Sequence, residues 1–367
     1  MLLSLVTGCY AAMRALLAWA AWHHTPRHAA QPLVSVIVAA HNEAATIPAL
    51  LESLLSQAYP CYEVIIVDDR SNDATQTMLA AWPARDDRLT VVRLDDVPAD
   101  ATPKMHALAR GIDRARGELL LLTDADCDVP PTWIAGMAAA FGPRIGVVIG
   151  YVRLRAANGT LFEQVQAFDY FHMMAMTAAA TKLGRPLGAS GANLAYRRVA
   201  YDAVGGFDAM PRGAVADDML LLQRVLDQTN WRAAFCDDAR AFITTPAEPT
   251  LKQFLNQRAR WMAGGAEVLG RNWPLLISSS LLGTINGLML FAPLFLRRRD
   301  LRRPALVMIL GRVLADLLHL GLAARRLRAT DLLRYLPLWI VAQLPYTVAL
   351  PIYSRLAAWG WGGRRAQ

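Results

Sequence analysis

The chain has 367 residues, 54% of them hydrophobic and 19% charged. That balance excludes a disordered chain, a collagen and a disulfide miniprotein, and it is more apolar than an ordinary soluble enzyme. The net charge of +8 is uneven: residues 31–272 carry 23 Lys and Arg against 27 acids, whereas residues 273–367 carry 13 Arg against three Asp. The basic tail adjoins apolar runs and suits anionic lipid headgroups, while the slightly acidic middle lacks the basic face that nucleic acid requires. Cys9, Cys61, Cys127 and Cys236 stand far apart with no CxxC spacing. A zinc site or disulfide framework is thereby disfavoured, and a reducing cytoplasm fits.

Residues 1–22 are nearly all apolar and are broken by Arg14. No Lys or Arg precedes position 14 and no small-residue cleavage site follows, so residues 1–24 read as a retained anchor, with an interfacial helix as the alternative. From Leu33 the pattern alternates. Leu33–Ala39 is a buried-strand run. Ile47, Leu50, Leu51, Leu54, Leu55 and Ala58 follow helical spacing. Glu63–Val67 is a second strand ended by acids, 73–82 a helix, 89–94 a strand and 104–116 a helix. Glu118–Thr123 is again a strand with acids directly behind it. Strands alternating with helices predict a mostly parallel three-layer α/β sheet, whose ligands bind at the carboxyl ends of strands. No GxGxxG follows the first strand and no GxxxxGK[ST] occurs, so bound phosphates would need a carboxylate-held metal instead of a glycine cradle.

The chemistry-bearing residues cluster at those strand ends. Asp68 and Asp69 close the second strand and can accept from a base or a ribose hydroxyl; a helix N-cap is the structural alternative. Asp124 and Asp126 follow the fourth strand and can converge on one hard cation, Mg²⁺ or Mn²⁺, with substrate phosphates completing its shell. A solvated acidic turn is the alternative, and Asp128 is either a further acid there or merely solvated. Asp217 and Asp218 open a helical pattern, either as dipole partners or with Asp218 as a general base. His41 and Asn42 sit after the first strand, His106 on the 104–116 helix, and Ser190–Asn193 form a small-residue turn. Phe168, Tyr170, Phe171, Met173, Met174 and Met176 predict an apolar helix against the core or the membrane surface. Gln257 and Arg260 share a helix face; with Trp261 they offer a phosphate fork and a stacking surface, or else a basic aromatic belt at the membrane.

The carboxyl-terminal part is membrane-like. Residues 273–296 are uncharged, about 36 Å as a helix, long enough to span a bilayer core. Apolar runs follow at 304–323 and 335–353. The first contains Arg312, Asp316 and His319, with Arg312 and Asp316 spaced to pair on one face; a polar stripe against neighbouring helices is the plain reading. A single outward crossing by 273–296 would put Arg297, Arg298, Arg299, Arg302 and Arg303 outside, against the positive-inside rule, and a hairpin bend near Asn286-Gly287 would return them.

Taken in order, VSVIVAAHNE, VDDRSND, PKMHALARG, the DAD motif, SGANLAYRR with GGFD, ADD and QRARW resemble the family 2 glycosyltransferases, over about residues 33–265. The resemblance implies a Rossmann-like GT-A α/β domain over 31–265, with membrane helices at both ends: 1–24, and about three over 273–355. It implies that Asp69, with Asp68, contacts the uracil or ribose, that Lys104 lies near the nucleotide, and that Asp124 and Asp126 hold the metal and diphosphate. It also implies that Asp218 is the base and that Gln257, Arg260 and Trp261 engage the diphosphate and the acceptor end. Gly191, Asn193 and Asp217 would line the acceptor or donor-sugar pocket. The third acidic motif reads ADD, where the family commonly has ED or TED. The activity implied is inverting transfer of a sugar from a nucleotide-diphospho-sugar, a UDP-sugar by the resemblance, to a lipid, lipid-linked or glycan acceptor. A processive polysaccharide synthase and an inactive nucleotide-sugar-binding scaffold are the alternatives. The expected setting is a plasma or bacterial inner membrane. Nucleotide-sugars are cytoplasmic, so the catalytic domain should face the cytoplasm, and His23, His24, Arg27 and His28 after the first helix agree with that orientation.

Overall fold

The computed structural model describes residues 2–98, 101–211, 214, 217–269, 272–356, 360–361 and 364–365. They divide into two compact units. Thr25–Arg155, Gly188–Pro246 and Gly360–Gln367 form one; Met1–His24, Ala156–Leu187 and Ala247–Trp359 form the other.

The first unit is built on β1 (Val34–Ala40), β2 (Tyr62–Asp69), β3 (Leu89–Leu94), β4 (Leu119–Leu122), β5 (Ile145–Gly150), β6 (Val152–Arg155), β7 (Leu194–Arg197), β8 (Arg232–Cys236) and β9 (Ile243–Pro246). Every residue of β1, β2 and β4 is buried, the condition of a parallel strand covered on both faces. Seven strands form one sheet in the order β3-β2-β1-β4-β7-β5-β8. Pairings β1/β2, β2/β3, β1/β4 and β5/β8 are parallel, and β7 runs antiparallel to both neighbours. β6 and β9 pair in parallel as a separate ribbon. Strand order reverses at β1 and β4: the chain first steps away through β2 and β3, then returns to β1's other edge. The carboxyl ends of β1 and β4 therefore flank the crevice where ligands of open α/β sheets bind.

Helix Pro103–Arg114 packs tightly beneath this crevice. A Cβ at Gly111 would lie 2.7 Å from Ile37 Cγ2 and 2.9 Å from Val67 Cγ2, so only glycine lets the helix approach β1 and β2 so closely. That approach fixes the helix's first turn, which carries Lys104. The predicted strands and helices recur within a few residues. Asp68 and Asp69 are the last two residues of β2, closing it as expected.

The second unit is helical: Leu2–Trp22, Leu161–Lys182, Leu251–Leu269, Trp273–Leu290, Ala292–Arg297, Arg299–Arg326 and Leu336–Leu356. Among the described residues, Leu2–Trp22, Trp273–Leu290 and Arg299–Arg326 are long and apolar enough to cross a membrane. Within the expected 31–265 domain, residues 156–187 and 247–265 group with the apolar helices. Leu161–Lys182 is buried around most of its circumference, as a helix enclosed by other helices must be.

Arg14 does not face outward from Leu2–Trp22. Its guanidinium is buried, and its Nε donates to Asp316 Oδ1 at 2.7 Å, where Tyr10 Oη also donates at 2.6 Å. Arg312 Nε reaches Asp316 Oδ2 at 3.4 Å, and His319 is buried on the same helix. The polar stripe thus packs inward while Leu5, Leu16, Trp19, Leu310 and Leu314 stay exposed. Of the two topologies the sequence left open, the helix does not take the bend at Asn286-Gly287: Trp273–Leu290 runs through it. Asn286 is buried and engaged by Arg312, with its own Nδ2 donating to Thr347 Oγ1 at 2.8 Å, so its polarity is satisfied within the helices. The break falls instead at Phe291, before Pro293 in the first turn of Ala292–Arg297, where the missing N–H of proline costs nothing.

Candidate active site

The loops after β1 and β2 are knitted together. Asn42 and Arg70 both adopt left-handed backbone, with φ of 59° and 58°. Such non-glycine positions persist only where neighbours over-determine them. The ties are visible: Asn42 N donates to Ser71 Oγ at 3.0 Å, Asn72 N to Asn42 Oδ1 at 2.9 Å, and Glu43 N to Thr75 Oγ1 at 2.8 Å. His41 Nδ1 bonds the Asp69 carbonyl at 2.7 Å.

Asp68 accepts from Ser71 N at 3.0 Å on one oxygen and from Arg93 at 2.8 Å on the other. At 1% exposure it shapes the turn and presents no open carboxylate. Asp69 is also buried and accepts from Arg70 Nε at 2.8 Å. The helix behind them starts at Thr75 and takes no cap from either acid.

Across the crevice, Lys104 Nζ donates to Asp124 Oδ1 at 2.6 Å. The Gly191 N–H donates to Asp218 Oδ2 at 3.0 Å. A Cβ on Gly191 would stand 3.6 Å from Lys104 Nζ and 3.9 Å from Asp218 Oδ2. Lys104, Asp124, Gly191 and Asp218, from four separate stretches of chain, therefore share one neighbourhood. Burial, then the adjacent Asp124, pushes the Asp126 carboxyl above the ordinary range, with Lys104 opposing the shift. Burial likewise raises Glu43, helped by Asp126, Asp124 and Asp73. These mutual effects bring Glu43 into the same acidic group.

A divalent ion fits this donor set. Crowded carboxylates that already favour a proton are relieved equally by a hard cation with oxygen ligands. Among the described residues no group of three or more His, Cys, Asp or Glu is gathered to hold one.

Other predicted residues fall elsewhere. Asn193 is buried: its Oδ1 accepts from Trp133 Nε1 at 2.9 Å, and its Nδ2 donates to the Tyr151 and Ala241 carbonyls at 3.0 Å each. The amide is consumed in holding the turn beneath Gly191 and does not line an open pocket. Asp128 is exposed, pairs with Arg155 and exchanges backbone hydrogen bonds with Thr244, so it belongs to the β6/β9 ribbon. The Asp217 side chain lies outside the described residues. His106 lines a small cavity with Met105, Phe207 and Met210.

In the helical unit, Gln257, Arg260 and Trp261 lie on Leu251–Leu269, all half-buried. Gln257 Nε2 donates to Glu248 Oε1 at 2.7 Å. Glu248 is anchored in turn through its backbone to Gln166, at 2.9 and 3.2 Å. The Trp261 ring lies 5.5 Å from Tyr170 and 4.2 Å beneath the Arg258 guanidinium.

Glu43, Arg93, Arg258 and Asp169 were not singled out by sequence reasoning. Glu43 carried a signal as the first acid beyond β1. Asp169 carried another, as a lone acid in the middle of an apolar helix.

The reversal point of the sheet thus holds paired carboxylates, a lysine bonded to one of them and a helix-borne aspartate beside them. Residues 1–350 match the profile of Glycosyl transferase family 21, and the chain belongs to that family. It is 26% identical over 257 residues to poly-β-1,6-N-acetyl-D-glucosamine synthase of Staphylococcus epidermidis, covering 68% of this chain and 58% of that protein. It is 29% identical over 253 residues to β-monoglucosyldiacylglycerol synthase of Trichormus variabilis, covering 68% and 52%. The chain thus spans little more than half the length of these curated relatives. The fold is shared with a mannosyltransferase from Pyrobaculum calidifontis solved with GDP-Man and Mn²⁺, at a TM-score of 0.54 and 22% identity over 96% of this chain and 93% of that one.

Proposed function

We propose that the chain is a membrane-bound inverting glycosyltransferase that moves a sugar from a nucleotide-diphospho-sugar to a lipid or lipid-linked acceptor. The convergence of Lys104, Asp124, Gly191 and Asp218 at the strand reversal carries the reading. Asp218 takes the proton of the acceptor hydroxyl as its oxygen bonds to the anomeric carbon. The carbon–oxygen bond to the diphosphate breaks on the opposite face, its electron pair leaves with the phosphate, and the anomeric centre inverts. Asp124 and Asp126 would hold Mg²⁺ or Mn²⁺, which when bound neutralises charge building on the leaving diphosphate. Lys104 adds a fixed cation in the same place. Gln257, Arg260 and Trp261 serve the diphosphate and acceptor end, Arg260 as a planar fork. Asp69 serves the base or ribose side.

The lipid acceptor is favoured by the exposed apolar faces of the membrane-length helices and by the diacylglycerol-directed relative. The poly-N-acetylglucosamine synthase relative favours a second reading, a processive synthase. Purified protein in lipid vesicles, given labelled nucleotide-sugars and candidate acceptors, should add one sugar per acceptor. A ladder of masses would select the processive reading, and an absence of both donor binding and transfer across the nucleotide-sugars would overturn the proposal. The catalytic unit faces the cytoplasm in this reading. Protease added outside intact cells should leave it uncut.

A further inference from the structure

We infer that Asp169 is a positioning residue for the Gln257–Trp261 segment. The inference rests on the proposed reading of that segment as part of the transfer site. Asp169 is 7% exposed in a helix whose one other acid is Glu163 in its first turn, and whose basic residues are His172 and, at its end, Lys182. A buried carboxylate persists only with matched partners, and two helices, Leu251–Leu269 and Leu336–Leu356, supply them. Arg258 Nη2 lies 3.1 Å from Oδ2, and Trp339 Nε1 and Gln343 Nε2 donate to Oδ1 at 2.9 and 3.0 Å.

What Asp169 holds is the guanidinium on which Trp261 rests. Arg258 is 3% exposed and lies over Trp261 at 4.2 Å and over Phe254 at 5.0 Å. Tyr170, the next residue after Asp169, meets the Trp261 ring at 5.5 Å. A second tie joins the same helices, since Gln257 holds Glu248 and Glu248 is anchored on Gln166. Gln166 and Asp169 are three apart and share a helix face. Neighbouring residues 257 and 258 are thereby fastened to one face of Leu161–Lys182, while Arg260 and Trp261 stay half-buried. Apolar packing could close the helices together, but it would not fix the direction of one guanidinium. The ion pair that sets Nη2 3.1 Å from Asp169 Oδ2 does.

Asp169→Asn keeps the shape and the acceptor facing Trp339 and Gln343 while removing the charge facing Arg258. In the full-length protein, backbone hydrogen exchange across 251–269 should accelerate about tenfold or more. Turnover should fall about tenfold with the donor KM within about threefold. The double variant Asp169→Asn/Arg258→Gln leaves neither charge unpaired and should lose no more than the single. Independent roles would instead multiply the two losses and overturn the inference. Asp169→Glu, which moves the charge by one methylene, should give the same pattern at about threefold and guards against a misfolded Asn variant. Unchanged exchange across 251–269 in both variants would refute the tie itself. Faster exchange with unchanged turnover would overturn the inference through the reading beneath it, because the segment would then lie outside the reaction.

Discussion

At the amino-terminal edge of the sheet, Glu63 accepts from Ser35 Oγ at 2.7 Å, from the Arg116 N–H at 2.6 Å and from Arg116 Nε at 2.8 Å. Burial alone would raise its pKa, but these donors together outweigh it and hold the carboxyl below the usual range. At the carboxyl-terminal edge, Asp126 and Glu43 are also partly buried, yet their neighbours are other acids and both are pushed upward. One edge matches its charge with donors and gains stability. The other concentrates like charge that only a proton, a metal or a cationic group can relieve. Where a fold tolerates such a mismatch, function is the usual reason.

The contrast breaks most sharply at Asp218. In Asp218→Asn the amide oxygen can accept from only one of the Gly191 and Met219 N–H groups that the two carboxylate oxygens hold, so stability should fall by only about 1 kcal/mol. Transfer should fall about 10²–10⁴-fold, the usual worth of a general base, with donor binding retained. Wild-type-like turnover would remove the base from this edge. Asp126→Asn comes next. Metal-dependent donor affinity should drop about 100-fold by calorimetry, and metal-free stability at neutral pH should rise. The sign follows from the raised folded pKa: the folded state holds this proton more tightly than the unfolded chain, so the ionised carboxylate costs stability above the unfolded carboxyl range. The Asn variant's gain should vanish as the pH falls below that range. Equal stability of the two proteins at neutral pH would show that the acids do not crowd one another.

Glu63→Gln probes the opposite edge. Here the folded pKa lies below the unfolded one, so the stabilisation is present above the unfolded carboxyl range and fades as pH falls through the folded value. The variant should lose about 1–2 kcal/mol at pH 7, somewhat less for the exposure of Arg116. It should approach the parent under acid and keep its turnover. A turnover loss matching that of Asp126→Asn would erase the distinction between the edges.

Much of this was legible in the sequence, for physical reasons. β1, β2 and β4 announce themselves because a strand buried on both faces must be continuously apolar, and acids directly behind such strands can only stand at their ends. Helix spacing gave Gln257 and Arg260 a common face. Two kinds of information were not legible. Asp68 and Asn193 carry the right chemistry for ligands, but their hydrogen bonds are spent on Ser71, Arg93, Trp133 and two carbonyls, and all but Ser71 lie far off in sequence. The inward turn of Arg14 was hidden likewise, because its acid, Asp316, lies 302 residues away. Local pattern fixes which residues share an element, whereas the pairing of buried polar groups is decided by tertiary contact.

The smallest effect expected belongs to Gly191. Its backbone is not left-handed, and an added methyl would meet Lys104 Nζ at 3.6 Å and Asp218 Oδ2 at 3.9 Å, ordinary contact distances. Gly191→Ala should therefore fold without strain and gain a few tenths of a kcal/mol from the stiffer unfolded chain. The same methyl enters the space between the ammonium and the carboxylate, where a reacting hydroxyl would have to sit. Turnover should drop roughly tenfold, as misplacement of a reacting group by about an ångström costs at least that much. A variant that is slightly more stable and slower places the reaction in that gap. One that is equally active puts the acceptor elsewhere along the carboxyl-terminal edge and leaves the Lys104–Asp124 pair to the donor alone.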